Sequence, residues 1–217
     1  MDILQPIKVT NSAGDIIEVC DYDTLLSYDA DVYLIFGMRS FGKSYGLYKY
    51  CLQNWLIDGS QFAIMRMIDD DIRPGNLRKM FAGIATWFYE ETYNEKKLDI
   101  YQSSIIAKSV DGKEIKRETV GFPLSLSGWM KYKGNNYDNV TTIIFEEFIE
   151  KKIKLSTDDT REGYINNLST IIRHRSNVKV FCLANTVRKK SPIFDYYQID
   201  MKRLVKGKPA LFQEKNG

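Results

Sequence analysis

Cysteine and histidine are scarce in this chain: its 217 residues hold three cysteines, Cys20, Cys51 and Cys182, and one histidine, His174. An odd number of widely spaced cysteines signals neither a disulfide framework nor a zinc site. Each cysteine is therefore expected to be a small core residue, and His174, with no metal ligand to pair with, a surface residue. Long hydrophobic runs are also missing. The most apolar stretches, TTIIF and VKVFCLA, fall far short of the roughly 20 residues needed to span a bilayer. The N-terminus MDILQPIKVTNSAGD lacks the basic-then-apolar layout of a secretory signal, so a cytosolic protein with no membrane partner is expected. No internal repeat, low-complexity segment or base-reading module such as a helix-turn-helix is visible. The formal charge of +3 is mild for a nucleic-acid binder and excludes nothing.

What is present is enough apolar material for one full-sized core, 44% hydrophobic and 13% aromatic. Short β-type runs alternate with helical periodicity. Val32 to Phe36 reads as a buried strand, and after Lys43 the positions Leu47, Cys51, Trp55 and Tyr48, Leu52, Leu56 form a helical stripe that stops at Asp58-Gly59. Gln61 to Met67 predicts a second strand, and Leu77, Phe81, Ile84 and Phe88 a second helix. Between about residues 98 and 123 the pattern alternates around an Asp111-Gly112 turn signal, as in an inserted β-hairpin. Val140 to Phe145 and Val178 to Ala184 read as central parallel strands, with a helix through Ile165, Leu168 and Ile172 between them. The fold class expected is α/β, a mainly parallel central sheet flanked by helices with an inserted hairpin. Past Ser191-Pro192 the chain reads as a basic, irregular tail.

The stretch GMRSFGKS, Gly37 to Ser44, fits G-x-x-x-x-G-K-[ST]. Glycines let such a loop curl so that successive N–H groups face phosphate oxygens, the lysine reaches the β and γ phosphates, and the serine hydroxyl holds Mg²⁺. The helix that follows adds its dipole. About one chain in a hundred of this length would carry the pattern by chance, judged from average residue frequencies. A chance match has no reason to fall between a buried strand and an amphipathic helix. Gly37, Met38, Arg39, Ser40, Phe41, Gly42, Lys43, Ser44 and Tyr45 are accordingly expected to cradle ATP, with Lys43 also serving catalysis.

An ATP site of this kind needs an oxygen ligand for Mg²⁺ and a base for the attacking water. Glu146 and Glu147 end the apolar run VTTIIF. Successive residues at a strand end point in different directions, so Glu146 is expected on the Mg²⁺ side with Ser44, and Glu147 is expected to polarise the water. Glutamate stands at Glu146 where aspartate is usual, which leaves the division of roles between the two open. Arg173 and Arg175 precede the Val178 strand and Asn185 ends it. Arginine suits a transferring phosphoryl group because its fork donates to two oxygens and keeps its charge. Arg173 is thus the choice for an arginine finger and Asn185 for a sensor of the attacking water, although a solvated charge cluster and an ordinary strand end read the same way. The loop WMKYKGNNYD, with Lys131 and Lys133, and EKKIK, with Lys152, have compositions suited to phosphate or subunit contact, as do many solvated loops.

Taken together, GMRSFGKSY, FPLSLSGWMKYKGNNYDNVTTIIFEEFI and RHRSNVKVFCLANTV resemble the N-terminal ATPase domain of the genome-packaging motors of phi29-like bacteriophages, over roughly residues 29–186. The resemblance implies a subunit of a homomeric, pentameric ring in the cytoplasm of an infected bacterium. Such a ring docks at the portal of an empty procapsid with a packaging RNA and drives double-stranded DNA inward, using ATP and Mg²⁺. It implies a finger role for Arg173 and a part for Lys133 in coordinating neighbouring subunits. It further implies residues 1–190 as the ATPase domain and 191–217 as a linker toward a second, nuclease-like domain. Two other readings remain at this point: another ring-forming ATPase acting on nucleic acid, such as a helicase, and an ATP-binding scaffold with little turnover.

Overall fold

The computed structural model describes residues 7–10, 16–37, 42–101, 103–149, 154–185, 190–200, 202 and 210. In chain order the elements are β1 (Ile7–Thr10), β2 (Ile16–Val19), α1 (Tyr22–Leu26), β3 (Val32–Gly37), α2 (Lys43–Asp58), β4 (Gln61–Arg66), α3 (Pro74–Glu91), β5 (Lys97–Tyr101), β6 (Ser104–Asp111), β7 (Glu114–Ser125), β8 (Val140–Glu146), α4 (Thr157–Ile172), β9 (Lys179–Asn185) and α5 (Pro192–Tyr196). Short 3-10 turns cover Asp69–Ile72 and Trp129–Tyr132.

Seven strands form one sheet in the order β3-β9-β8-β4-β7-β6-β5, while β1 and β2 pair apart from it as an antiparallel hairpin. The first five strands of the large sheet are parallel and the last two antiparallel. Period-2 alternation divides the side chains between two cores. Phe62 and Ile64 of β4, Ile144 of β8, and Phe181 and Leu183 of β9 pack under α2 and α3. Ala63, Met65, Ile143, Phe145, Val180 and Cys182 pack on the other face, under α4 and α5. The result is the helix–sheet–helix layering expected from strands that are apolar on both faces. Among the described residues no helix is long and apolar enough to cross a membrane.

Gly42 starts α2 in the left-handed region (φ 56°) and Gly59 stops it there (φ 80°), its N–H returning to the Trp55 carbonyl. Pro74 opens α3 at a position where no N–H is needed, and Leu77, Phe81, Ile84 and Phe88 are its buried residues, as the spacing predicts. Cys51 and Cys182 are buried free thiols, Cys20 is only part-buried, and His174 is exposed.

Four local expectations change. Leu56 leaves the α2 stripe and is 38% exposed, because the helix has turned past the sheet by its last turn. The core face of α4 is Tyr164, Leu168 and Ile171, rotated from the predicted Ile165 and Ile172. The hairpin turn falls at Gly112-Lys113, one residue beyond the expected Asp111-Gly112, and the hairpin is built into the sheet rather than set apart. β7 runs through 12 residues, and its second half pairs in parallel with β4 from Gly121 to Ser125. Finally, the run after Ser191-Pro192 opens with α5, whose Ile193 and Phe194 are buried in the second core.

Candidate active site

The parallel strands all end on one edge, which gathers residues far apart in sequence. Gly37 at the end of β3 is in register with Asn185 at the end of β9, and Glu146 at the end of β8 with Leu183. β9 therefore lies between the strand that precedes the predicted phosphate loop and the strand at whose end the two acids stand, with Asn185 at its own end. Met38, Arg39, Ser40 and Phe41, within the predicted loop, lie outside the described residues, as does Lys152.

Lys43 is the first residue of α2, and its ammonium lies 3.5 Å from the Gly37 carbonyl oxygen. Burial lowers its pKa, opposed by the negative charge of Glu146 and then of Cys20. One helical turn separates Ser44 from Tyr48, and both reach Glu146. The Tyr48 phenol donates to Glu146 Oε1 at 2.7 Å, and the Ser44 hydroxyl bonds the same carboxylate. Glu146 is 6% exposed. Its pKa is raised by burial, against the pull of the Tyr48 and Ser44 hydrogen bonds and the charge of Arg66. Burial first, and then the charge of Glu146, push the Tyr48 phenol well above its ordinary pKa, so it remains a donor.

The next residue differs in every respect. Glu147 has φ 55°, a left-handed conformation costing a non-glycine residue about 1 kcal/mol or more. That backbone turn swings its side chain away from Glu146 and toward β4, where Arg66 meets it at 2.9 Å. Arg66 is mostly buried (15% exposed) and Glu147 is not (44%). The expectation that the two carboxylates point apart is thus met, with a geometric cause in the positive φ.

Three contributors escaped the sequence reading. Tyr48 follows Ser44 at i+4, a signal that was available once Ser44 was singled out. Arg66 ends QFAIMR as its sole cation, and only the sheet order puts it beside Glu147. Tyr22 of α1 donates to the Lys43 carbonyl at 2.6 Å, and its ring lies 3.0 Å from where a Cβ on Gly46 would stand. Thus α1 clamps the first turn of α2, and a larger residue at Gly46 would push it off.

Arg173 is not brought to this edge. It caps α4 at its C-terminus with φ 51° and ψ −114°, donates to the Asn135 carbonyl at 3.3 Å, and lies 3.7 Å from the Asp138 carboxylate. These partners precede β8, whose seven residues separate them from Glu146 by about 20 Å. Arg175 belongs to the same edge but is engaged throughout, donating to the carbonyls of Asp138 (2.7 Å), Val140 (2.8 Å), Tyr137 (3.1 Å) and Ile171. It is a staple of the β8 and α4 ends rather than a solvated charge. Lys131 is exposed and ion-paired with Asp69, which also accepts from Ser125. The Lys133 ammonium lies 4.2 Å from the Trp129 ring centroid.

One edge therefore combines a cation at a helix N-terminus, a hydroxyl and a buried carboxylate in contact, and a second carboxylate held by an arginine. Mg²⁺ at phosphate sites usually takes only one or two protein oxygens and fills its shell with phosphate and water. Ser44 and Glu146 supply that number and type of donor. Residues 19–206 match the family described as Podovirus DNA encapsidation protein (Gp16). The chain belongs to this family. The DNA packaging protein of Bacillus phage B103 is 29% identical over 174 residues, 80% of this chain and 50% of its own length. That of Bacillus phage phi29 is 28% identical over 176 residues, 81% of this chain and 48% of its own length. The chain thus spans about half the length of these relatives. The crystal structure of the N-terminal domain of the phi29 DNA packaging ATPase superposes with a TM-score of 0.68 at 26% identity, covering 84% of this chain and 88% of that one. A subunit of the phi29 genome packaging motor assembly gives 0.65 at 25% identity, over 83% of this chain and 51% of that one.

Proposed function

We propose that this chain is the ATPase engine of a viral DNA-packaging motor, hydrolysing ATP with Mg²⁺ to move double-stranded DNA into a procapsid within the infected bacterium. The observation that carries the reading is the convergence of Ser44 and Tyr48 on the buried Glu146 beside Lys43, in a chain of the DNA encapsidation family. Gly37 to Tyr45 hold the triphosphate, with Lys43 neutralising the β and γ phosphates. Mg²⁺, held through Ser44 and Glu146, offsets phosphate charge when bound. Tyr48 fixes the Glu146 carboxylate, and Asn185 orients the attacking water. Glu147 takes that water's proton. Its carboxylate is engaged by Arg66 in the arrangement described, so acting as a base requires it to leave that bond.

A transferring phosphoryl group calls for a further cation, and Arg173 is some 20 Å from this chain's own site. Its position supports action on a neighbour's nucleotide, which makes the working unit a homo-oligomeric ring; five subunits, a portal partner and a packaging RNA follow from the resemblance. A second, nuclease-like domain reached through the residues after α5 follows from the resemblance in the same way. The Lys43→Ala variant tests the nucleotide reading: it should lose measurable ATP binding and turnover while melting near wild type, since its ammonium contacts phosphates rather than the core. Unchanged ATP affinity and rate would sink the assignment. Stimulation of wild-type turnover by duplex DNA tests the translocase reading against a scaffold that binds ATP idly.

A further inference from the structure

The three outer strands carry a charge pattern that the nucleotide site does not use. Antiparallel register puts Lys97 of β5 opposite Lys108 of β6, and Lys108 opposite Arg117 of β7. Three cations thus stand abreast on one sheet face, spanning about 10 Å at ordinary strand spacing. Like charges directly opposite one another destabilise a sheet. Among the described residues no carboxylate lies within ion-pair distance of any of the three. Asp99, the acid on the same face of β5, is bonded to Arg78 and feels the charge of Lys108 only more weakly. Aromatic rings hold the two outer cations instead: the Arg117 guanidinium lies 4.6 Å from the Tyr101 ring centroid, and the Lys97 ammonium 5.0 Å from that of Tyr89.

The opposite face of the same hairpin is mixed in sign. Asp111 stands across from Glu114, and Glu118 binds Lys96 and Lys116. Acids and lysines are thus paired there, whereas the rank of three has no such partner. The cationic face is buried at Ile106 but open from the rank toward the turn. The second core, which lies on that side of the sheet, contains no residue of β5 or β6, and Val110 (64% exposed) and Ile115 (47%), the next pair toward the turn, stay open.

We propose that the face bearing Lys97, Lys108 and Arg117 docks the phosphate backbone of double-stranded DNA. A rank of cations spaced by the sheet suits a grip on the backbone that is independent of sequence. Charge complementarity selects a polyanion, and the inference rests on the reading that this chain acts on duplex DNA. The repulsion within the rank is relieved when phosphates lie over it.

The test measures binding of a fluorescein-labelled 30-base-pair mixed-sequence DNA duplex by anisotropy across a salt series. It compares wild type, the triple Lys97→Gln/Lys108→Gln/Arg117→Gln variant, and a control with the same charge loss elsewhere, Lys79→Gln/Lys116→Gln/Lys190→Gln. Removing three phosphate contacts should weaken binding and flatten the log–log salt slope by about 2 to 3, with the control near wild type. DNA-free ATP turnover should not change, and the row variant should melt at or above wild type as the repulsion disappears. Equal loss in row and control variants would overturn the proposal, as would unchanged binding in the row variant; both leave the ATPase reading standing. Binding that depends on the row for an RNA duplex but not for DNA would also overturn it. Failure of wild type to bind DNA at low salt would remove the duplex-DNA reading itself. Should the triple variant fold poorly, Lys108→Gln alone, the middle of the rank, must still flatten the slope by about 1.

Discussion

The two edges of the parallel sheet hold charged residues in contrasting ways. At the strand C-termini, Lys43, Ser44, Tyr48, Glu146, Glu147 and Arg66 come from three separate elements and the turn after one of them; Ser44 and Tyr48 bond Glu146, Arg66 bonds Glu147, and Lys43 reaches the Gly37 carbonyl. At the N-termini of β8 and β9, two arginines two residues apart divide their work. Arg175 is saturated by four carbonyls. Arg173 makes one long hydrogen bond and one loose ion pair, stays half exposed, and occupies a backbone conformation that favours glycine. On the proposed reading the first edge lacks a cation from outside, and the second holds one that is only loosely engaged. Within one chain these halves cannot meet, so the contrast itself argues for work between chains.

The most severe way to break the contrast is to remove Arg173 under conditions where rings form. Arg173→Ala should lower ATP turnover by ~10³ to 10⁵ if the arginine acts across a subunit boundary, with ATP affinity nearly intact. Mixing it with Glu147→Gln subunits, which retain the arginine, should restore activity, since each lacks what the other supplies. Co-assembly without recovery would confine Arg173 to its own chain or to no catalytic role.

A smaller effect separates the two carboxylates. Glu147→Gln should keep ATP and Mg²⁺ but lose ~10²-fold or more in rate, whereas Glu146→Gln should weaken Mg²⁺-dependent binding. The reverse result would exchange their roles. Glu146 also sets a pH dependence. Its pKa is raised on folding, so the folded state binds the proton more tightly, and this contribution is present below the ordinary carboxylate value and lost as pH rises through the raised one. Nucleotide-free Glu146→Gln should therefore melt a few degrees above wild type at pH 7 to 8, with the gap closing as pH falls toward 4.5. A gap independent of pH would mean that the carboxylate is not ionised at cost in the empty site.

The mildest comparison concerns stability at the arginine edge. Arg175→Ala orphans several carbonyls and should cost about 2 to 3 kcal/mol. Arg173→Gly should stabilise the chain by about 1 kcal/mol, because glycine relaxes the left-handed backbone, while abolishing turnover in the ring. Thermal unfolding of the pair reads both; destabilisation by Arg173→Gly would make that residue structural.

Local chemistry was legible in the sequence wherever one segment carried it alone. The helix from Lys43 to Asp58 with its two glycine ends, the α3 core and the presence of a hairpin all rest on spacing within a few residues, which polymer geometry converts directly into structure. Tyr48 could have been found the same way. Arg66 could not, because its partnership with Glu147 depends on β4 lying next to β8, a neighbour relation between strands separated by 81 positions in the chain.

The sequence by itself determined the α/β class, the start of α2 at Gly42 and Lys43 and the acids at the end of β8, since these follow from periodicity and from a glycine whose meaning is local. The tertiary structure alone decided which acid is buried and which is held by Arg66, why Arg173 is spare while Arg175 is spent, and that the hairpin completes the sheet with a row of cations. Each of these depends on register and on the order of strands joined by long crossovers. Side chains meet across a sheet only after the chain has closed those loops, and no stretch of sequence records the closure.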